Sequence, residues 1–154
     1  KKKFLYAEDF AKAKIEAIFS KEKLKSSTVY EAYHFANTVF INDGKGNFTA
    51  NALPWEAQIS AYRTAAVCDA NGDQLPDVLL MGNFYDNNVQ MGRYDADYGT
   101  LLINTGKQEF KAAPLNGLSI KGQVRRIAPI KYNKQQAYVL GMNSDSLRMI
   151  GFKD

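Results

Sequence analysis

Residues 69–77 read Asp-Ala-Asn-Gly-Asp-Gln-Leu-Pro-Asp, which sets oxygen-bearing side chains at Asp69, Asn71 and Asp73 and again at Asp77. Calcium takes roughly six to eight hard oxygen ligands, and a short loop supplies several of them only if carboxylates and carbonyls alternate along a tightly curved backbone. Leu75, at position 7 of the run, has no ligating side chain, but its backbone carbonyl is the group such loops use there, and Gly72 relieves the curvature. Three carboxylates in nine residues repel one another without a cation. The competing reading is an acidic turn that binds nothing, since Asp, Asn and Gly are common turn residues. Magnesium asks for a stricter octahedron and keeps several waters, so calcium is the expected ion.

A helix–loop–helix calcium site needs Gly at position 6 and a bidentate Glu at position 12. Gln74 and Leu80 stand there instead. The flanking runs, Thr64–Cys68 and Val78–Phe84, read as buried strands, which makes this a strand–loop–strand site. Asp86, Asp95 and Asp97 form a second acidic group in a longer connection, expected to be a solvated loop, with a second metal site as the alternative. In the same stretch Tyr85, Gln90, Arg93, Tyr94 and Tyr98 mix aromatic and hydrogen-bonding groups as contact surfaces for protein or carbohydrate do.

Other chemistry finds little support. There is no phosphate loop, zinc spacing or nucleophile elbow, and the single His34 has no evident nucleophile beside it. Cys68 lies in an apolar strand next to carboxylates that disfavour its thiolate, and one cysteine forms no internal disulfide. No enzyme and no catalytic residue is expected. The net charge of +4 owes three charges to Lys1, Lys2 and Lys3, and the remaining charges are interspersed. Nucleic-acid binding would have to rest on Lys121, Arg125, Arg126, Lys131 and Lys134, which read as exposed strand and turn positions. No apolar run approaches the roughly 18 residues of a membrane span. The chain opens without Met or an apolar signal stretch and is expected to be part of a longer protein.

The elements that must position the loop follow from periodicity. Ala11, Ile15, Ile18 and Phe19 fall on one face of a helix expected from about Asp9, with a further turn at Ser20–Leu24, so residues 1–37 are read as a helical segment. From Thr38 to the end, short β-rich runs are broken by Gly, Asn and Asp. Strands are expected at 38–42, 47–50, 64–69, 77–83, 99–104, 109–112, 123–130, 137–143 and 147–152. Two echoes organise them. Phe40-Ile41-Asn42-Asp43-Gly44-Lys45 with Phe48 returns 62 residues on as Leu102-Ile103-Asn104-Thr105-Gly106-Lys107 with Phe110. More weakly, Leu80-Met81-Gly82-Asn83 returns 60 residues on as Leu140-Gly141-Met142-Asn143. That second offset maps the ligand positions onto Pro129, Lys131, Asn133 and Ala137, a turn expected to lack a metal, with Lys131 near the place a cation would fill.

The acidic run, its apolar strand and Gly82-Asn83-Phe84 resemble the FG-GAP or VCBS repeat, also seen in integrin alpha chains, over roughly Thr38 to Lys153. The resemblance implies four-stranded blades of a β-propeller, with calcium held between the first two strands of a blade by Asp69, Asn71, Asp73, the Leu75 carbonyl and Asp77. Gln74 stands where many members carry Gly. Residues 38–50 would be the outer pair of one blade, 64–112 a full blade and 123–152 most of another, about two to two and a half blades in all. Such a fragment exposes sheet edges, so it is expected to self-associate, swap strands or cover them with its helices. Tyr85 to Gly99 also resembles the C-terminal region of large VCBS-repeat proteins of the Bacteroidetes. This implies an extracellular or cell-surface setting and a calcium-stabilised, non-catalytic module that contacts protein or carbohydrate. An accessory domain of an extracellular carbohydrate-active enzyme is the alternative.

Overall fold

The computed structural model describes residues 3–152. Lys1 and Lys2 of the basic start, and Lys153 at the end of the resembling stretch, lie outside the described residues. The chain divides near residue 35 into two compact units.

The first unit holds three short helices, α1 (Ala7–Ala11), α2 (Ile15–Ile18) and α3 (Lys21–Lys25), in place of the one long helix expected from Asp9. The backbone is extended at Lys14 (ψ 158°) and Phe19 (ψ 150°), so Ala11, Ile15, Ile18 and Phe19 do not share a continuous helical face. Ser20 starts the third helix, its hydroxyl accepting the Lys23 N–H at 3.4 Å. No residue of these helices is buried, and Ile15 and Phe19 are about half exposed. Short helices draw stability mainly from packing an apolar face, and a stripe left in water does not hold successive turns in one axis.

The second unit is mainly β. Its strands are β1 (Thr38–Asn42), β2 (Phe48–Ala52), β3 (Tyr62–Cys68), β4 (Asp77–Gly82), β5 (Thr100–Asn104), β6 (Phe110–Ala113), β7 (Val124–Tyr132), β8 (Gln135–Met142) and β9 (Arg148–Gly151). Every expected strand segment carries one of these, with ends displaced by at most two residues. They form three open antiparallel sheets in the orders β1-β2, β3-β4-β5-β6 and β7-β8-β9. Each strand pairs with its neighbour in sequence, the meander that short turns dictate.

The central sheet is covered on both faces, which explains why β4 reads as a continuous apolar run. Side chains alternate across a strand. Leu79 and Met81 join Val124, Ile127, Tyr138 and Leu140 of the third sheet in one core. Leu80 and Leu102 point the other way and pack with Ala57, Leu53 and Tyr62. Across the first core the Thr64 hydroxyl accepts the Ile127 N–H at 3.1 Å, and the Tyr138 hydroxyl donates to the Val67 carbonyl at 3.1 Å.

The 62-residue echo is one hairpin built twice. Asn42 Oδ1 accepts the Gly44 N–H at 2.8 Å, and Asn104 Oδ1 accepts the Gly106 N–H at 2.9 Å. Asp43 N–H bonds the Asn47 carbonyl at 3.1 Å, and Thr105 N–H the Glu109 carbonyl at 3.0 Å. Gly44 and Gly106 share φ 77°. The asparagines therefore act through their side-chain oxygens, while the glycines supply the positive φ. The weaker echo is structural too. Register slips between Tyr62 and Thr64 opposite Gly82 and Met81, and again between Val124 and Arg126 opposite Met142 and Gly141.

Candidate metal centre

Asp69 to Pro76 connect β3 to β4, and the loop closes on its own polar side chains. Asp69 spans it, Oδ1 accepting the Gly72 N–H at 2.8 Å and Oδ2 the Gln74 N–H at 3.0 Å. Asn71 Oδ1 accepts the Asp73 N–H at 3.2 Å and its amide donates to Asp73 Oδ2 at 2.8 Å. Asp73 Oδ1 takes the Leu75 N–H at 2.8 Å. Gly72 (φ 77°) and Gln74 (φ 67°) both lie in the left-handed region, so the curvature that a glycine would permit at position 6 is reached here with Gln.

Asp77 differs from the other three. It is the first residue of β4 and wholly buried, whereas Asp69, Asn71 and Asp73 are exposed. Its Oδ2 accepts the Ala70 N–H at 2.9 Å and its Oδ1 the Asn104 N–H at 2.8 Å. The carboxylate thus ties the acidic loop to the β5–β6 turn, the very turn that is repeated in the chain. Sequence spacing placed Asp77 among the ligands without revealing this second partner, 27 residues away.

The donor set is what calcium takes: oxygens only, each sp² oxygen that receives one N–H keeping a second lone pair. The backbone has the required curvature. The carboxylates themselves are turned onto the loop's own N–H groups. Among the described residues no three His, Cys, Asp or Glu side chains come together as a group able to hold a metal. The loop therefore fits calcium by donor chemistry and backbone path, and its side chains would close on the ion from this arrangement.

The turn equivalent to this loop is a two-residue hairpin. Asn133 (φ 49°) and Lys134 (φ 66°) join β7 to β8, both left-handed as a type I′ turn requires. Pro129 and Lys131 lie within β7, opposite Tyr138 and Gln136, and Ala137 is opposite Ile130. Lys131 is thus a strand residue, and Lys134, not Lys131, is the lysine that shares a cleft with Asp69. The longer β7 and β8 consume the residues that the β3–β4 connection leaves as loop.

The second acidic group does not gather into a site, and its expected solvation fails at Asp97. Asp86 pairs with Arg125 at 2.9 Å across the surface. Asp97 is 3% exposed and accepts Gly82 N–H (2.9 Å), Gly99 N–H (3.0 Å) and the Thr100 hydroxyl (3.1 Å). Beside it Asn83, 1% exposed and at φ 75°, takes the Ser60 hydroxyl and the Asp97 N–H and donates to the carbonyls of Asp97 and Gly122. A Cβ on Gly82 would meet the Ala61 carbonyl at 2.1 Å, so only glycine fits. The Gly82-Asn83-Phe84 motif is therefore a buried polar knot. Phe84 forms a bridge with Tyr94 and lies under the Arg63 guanidinium, 5.0 Å from the ring centre. The tyrosines proposed as a contact surface are partly committed as well, Arg93 lying over Tyr85 and Lys121 over Tyr98.

Burial pushes the Asp97 carboxyl above the usual carboxylate value, against the lowering effect of its hydrogen bonds. A folded-state value above the unfolded one gives a contribution present below the unfolded pKa and lost as pH rises through the folded pKa. Wild type should therefore gain stability relative to Asp97→Asn as pH falls from 7 toward 4, read by urea unfolding at each pH. A difference that stays flat across this window would contradict the burial argument. Cys68 is buried, and desolvation, with Asp77 and Asp69 adding to it, pushes its thiol up to about 11, which leaves no thiolate nucleophile at neutral pH. Among the described residues no helix is long and apolar enough to cross a membrane.

No protein-family model, curated protein or solved structure matches this chain.

Proposed function

We propose that the chain is a non-catalytic binding module of a larger exported or cell-surface protein, built of propeller-type blades and stapled by calcium in the β3–β4 loop. The observation that carries this reading is the loop itself: Asp69, Asn71, Asp73, the Leu75 carbonyl and Asp77 on a curved connection between two strands of a four-stranded meander. Repetition of hairpin and bulge on neighbouring sheets supports blade architecture, since a repeated unit that cannot bury both faces alone stacks on its neighbours. Calcium would supply charge neutralisation among the three carboxylates. Asp77, already anchored, would be the rigid ligand, while Asp69 and Asp73 would exchange bonds to the loop N–H groups for bonds to the ion.

Calorimetric titration of wild type with calcium should show one site, absent in Asp73→Ala. At a hundredfold excess over the dissociation constant, binding stabilises the fold by about 2.7 kcal/mol, read as a rise in Tm of roughly 5–10 °C. Neither heat nor a Tm change in wild type would end the calcium reading.

A further inference from the structure

A cleft of about 640 Å³ opens beside the acidic loop, between it and the β7–β8 turn. Asp69 and Gln74 line it from the loop; Lys134 and Gln135 line it from the hairpin. Val67 and Phe152 give it an apolar floor, with the Phe152 ring held edge-on by Tyr138 at 6.0 Å. The volume lies within the range of about 300–1,000 Å³ typical of small-ligand sites. None of these residues belongs to the buried knot at the other end of β4.

The polar groups in this cleft are unspent. The Gln74 and Gln135 amides and the Lys134 ammonium make no side-chain hydrogen bond to another described residue. Each oxygen of Asp69 has taken one loop N–H and retains a lone pair. A primary amide presents donors and an acceptor side by side, which matches a pair of neighbouring hydroxyls, each of which both gives and accepts a hydrogen bond. The single ammonium and single carboxylate balance, so a strongly charged ligand of either sign meets an opposing group. Phe152 and Val67 offer a surface for the C–H face of a pyranose ring. An added peptide strand along β3 is disfavoured, because the Val67 carbonyl on that edge already accepts the Tyr138 hydroxyl.

We propose that this cleft is a binding site for a neutral saccharide, recognised by Gln74, Gln135, Lys134 and Asp69 over an apolar floor of Val67 and Phe152. The proposal rests on the binding-module reading, with the calcium loop forming one wall and setting its shape.

The test is an NMR titration of the full chain with maltotetraose, cellotetraose and chitotetraose, with trigalacturonate and tetra-alanine as charged-sugar and peptide comparisons. At least one neutral probe should shift the side-chain amide signals of Gln74 and Gln135. Gln135→Ala should weaken that probe by roughly tenfold or more, while Gln90→Ala, on an exposed segment elsewhere, should leave it unchanged. Silence from every neutral probe up to millimolar concentration, shifts confined to other residues, or response to the uronate or peptide alone would overturn the proposal. Running each titration with calcium and with chelator separates the two readings. Calcium heat without sugar shifts overturns the cleft alone, and sugar shifts without calcium heat overturn the staple alone.

Discussion

Asn83→Ala should lower the stability of the β unit by about 3–5 kcal/mol. The side chain makes four hydrogen bonds inside the protein, to Ser60, to both backbone groups of Asp97 and to the Gly122 carbonyl. Truncation strands these partners in a buried place, and a buried donor or acceptor without a partner costs about 1–3 kcal/mol, reduced wherever water enters the space left behind. The backbone adds to this, since φ 75° at residue 83 suits Asn better than Ala. Against a total stability of about 5–15 kcal/mol for an ordinary domain, the loss is a large fraction. Urea unfolding measures it directly. Asn88→Ala is the comparison: Asn88 is exposed and accepts one N–H, from Gln90, and its loss should cost about 1 kcal/mol or less. Equal effects at the two positions would show that the knot around Asp97 does not hold the sheet.

Asp77→Ala and Asp73→Ala, measured in chelator, should separate structure from metal at two residues of one loop. Asp77 is wholly buried and accepts two backbone N–H groups from different connections, so its removal leaves the Ala70 and Asn104 N–H groups unpaired and should cost about 2–4 kcal/mol without any calcium present. Asp73 is exposed, and its bonds stay within the loop. Its removal should change stability in chelator by no more than about 0.5–1 kcal/mol. In calcium the order of consequence reverses for binding: Asp73→Ala loses the ion while keeping the fold. If Asp77→Ala were as mild as Asp73→Ala in chelator, the cross-link to the β5–β6 turn would not stabilise the unit.

The knot and the cross-link share a property that bears on any function of the loop. Both are carboxylates fixed by backbone N–H groups from segments distant in sequence, one at each end of β4. A strand pinned at both ends presents its connections in fixed positions, and loops carried on a rigid scaffold are where binding groups are held to useful geometry. The β3–β4 loop thus has one anchored end at Asp77 and an exposed arc through Asn71 and Asp73, the arrangement in which an ion would order the arc without being needed for the sheet.

Sequence by itself determined what neighbours along the chain decide. The nine strands follow from β-rich runs between turn residues. The repeated hairpin follows from Asn and Gly at matched positions, because a turn is made by side chains and φ values within a few residues. The left-handed path of the acidic loop was legible for the same reason. Tertiary structure alone decided the rest. The helical stripe at Ala11, Ile15, Ile18 and Phe19 predicted one helix, and only packing, which those residues lack, could have held it together. Asp97 looked like a solvated acid until Gly82, Gly99 and Thr100 surrounded it, and Asp77 looked like a ligand until Asn104 reached it from another turn. Burial and long-range hydrogen bonding depend on which strands meet, and no spacing of residues along the chain encodes that meeting directly.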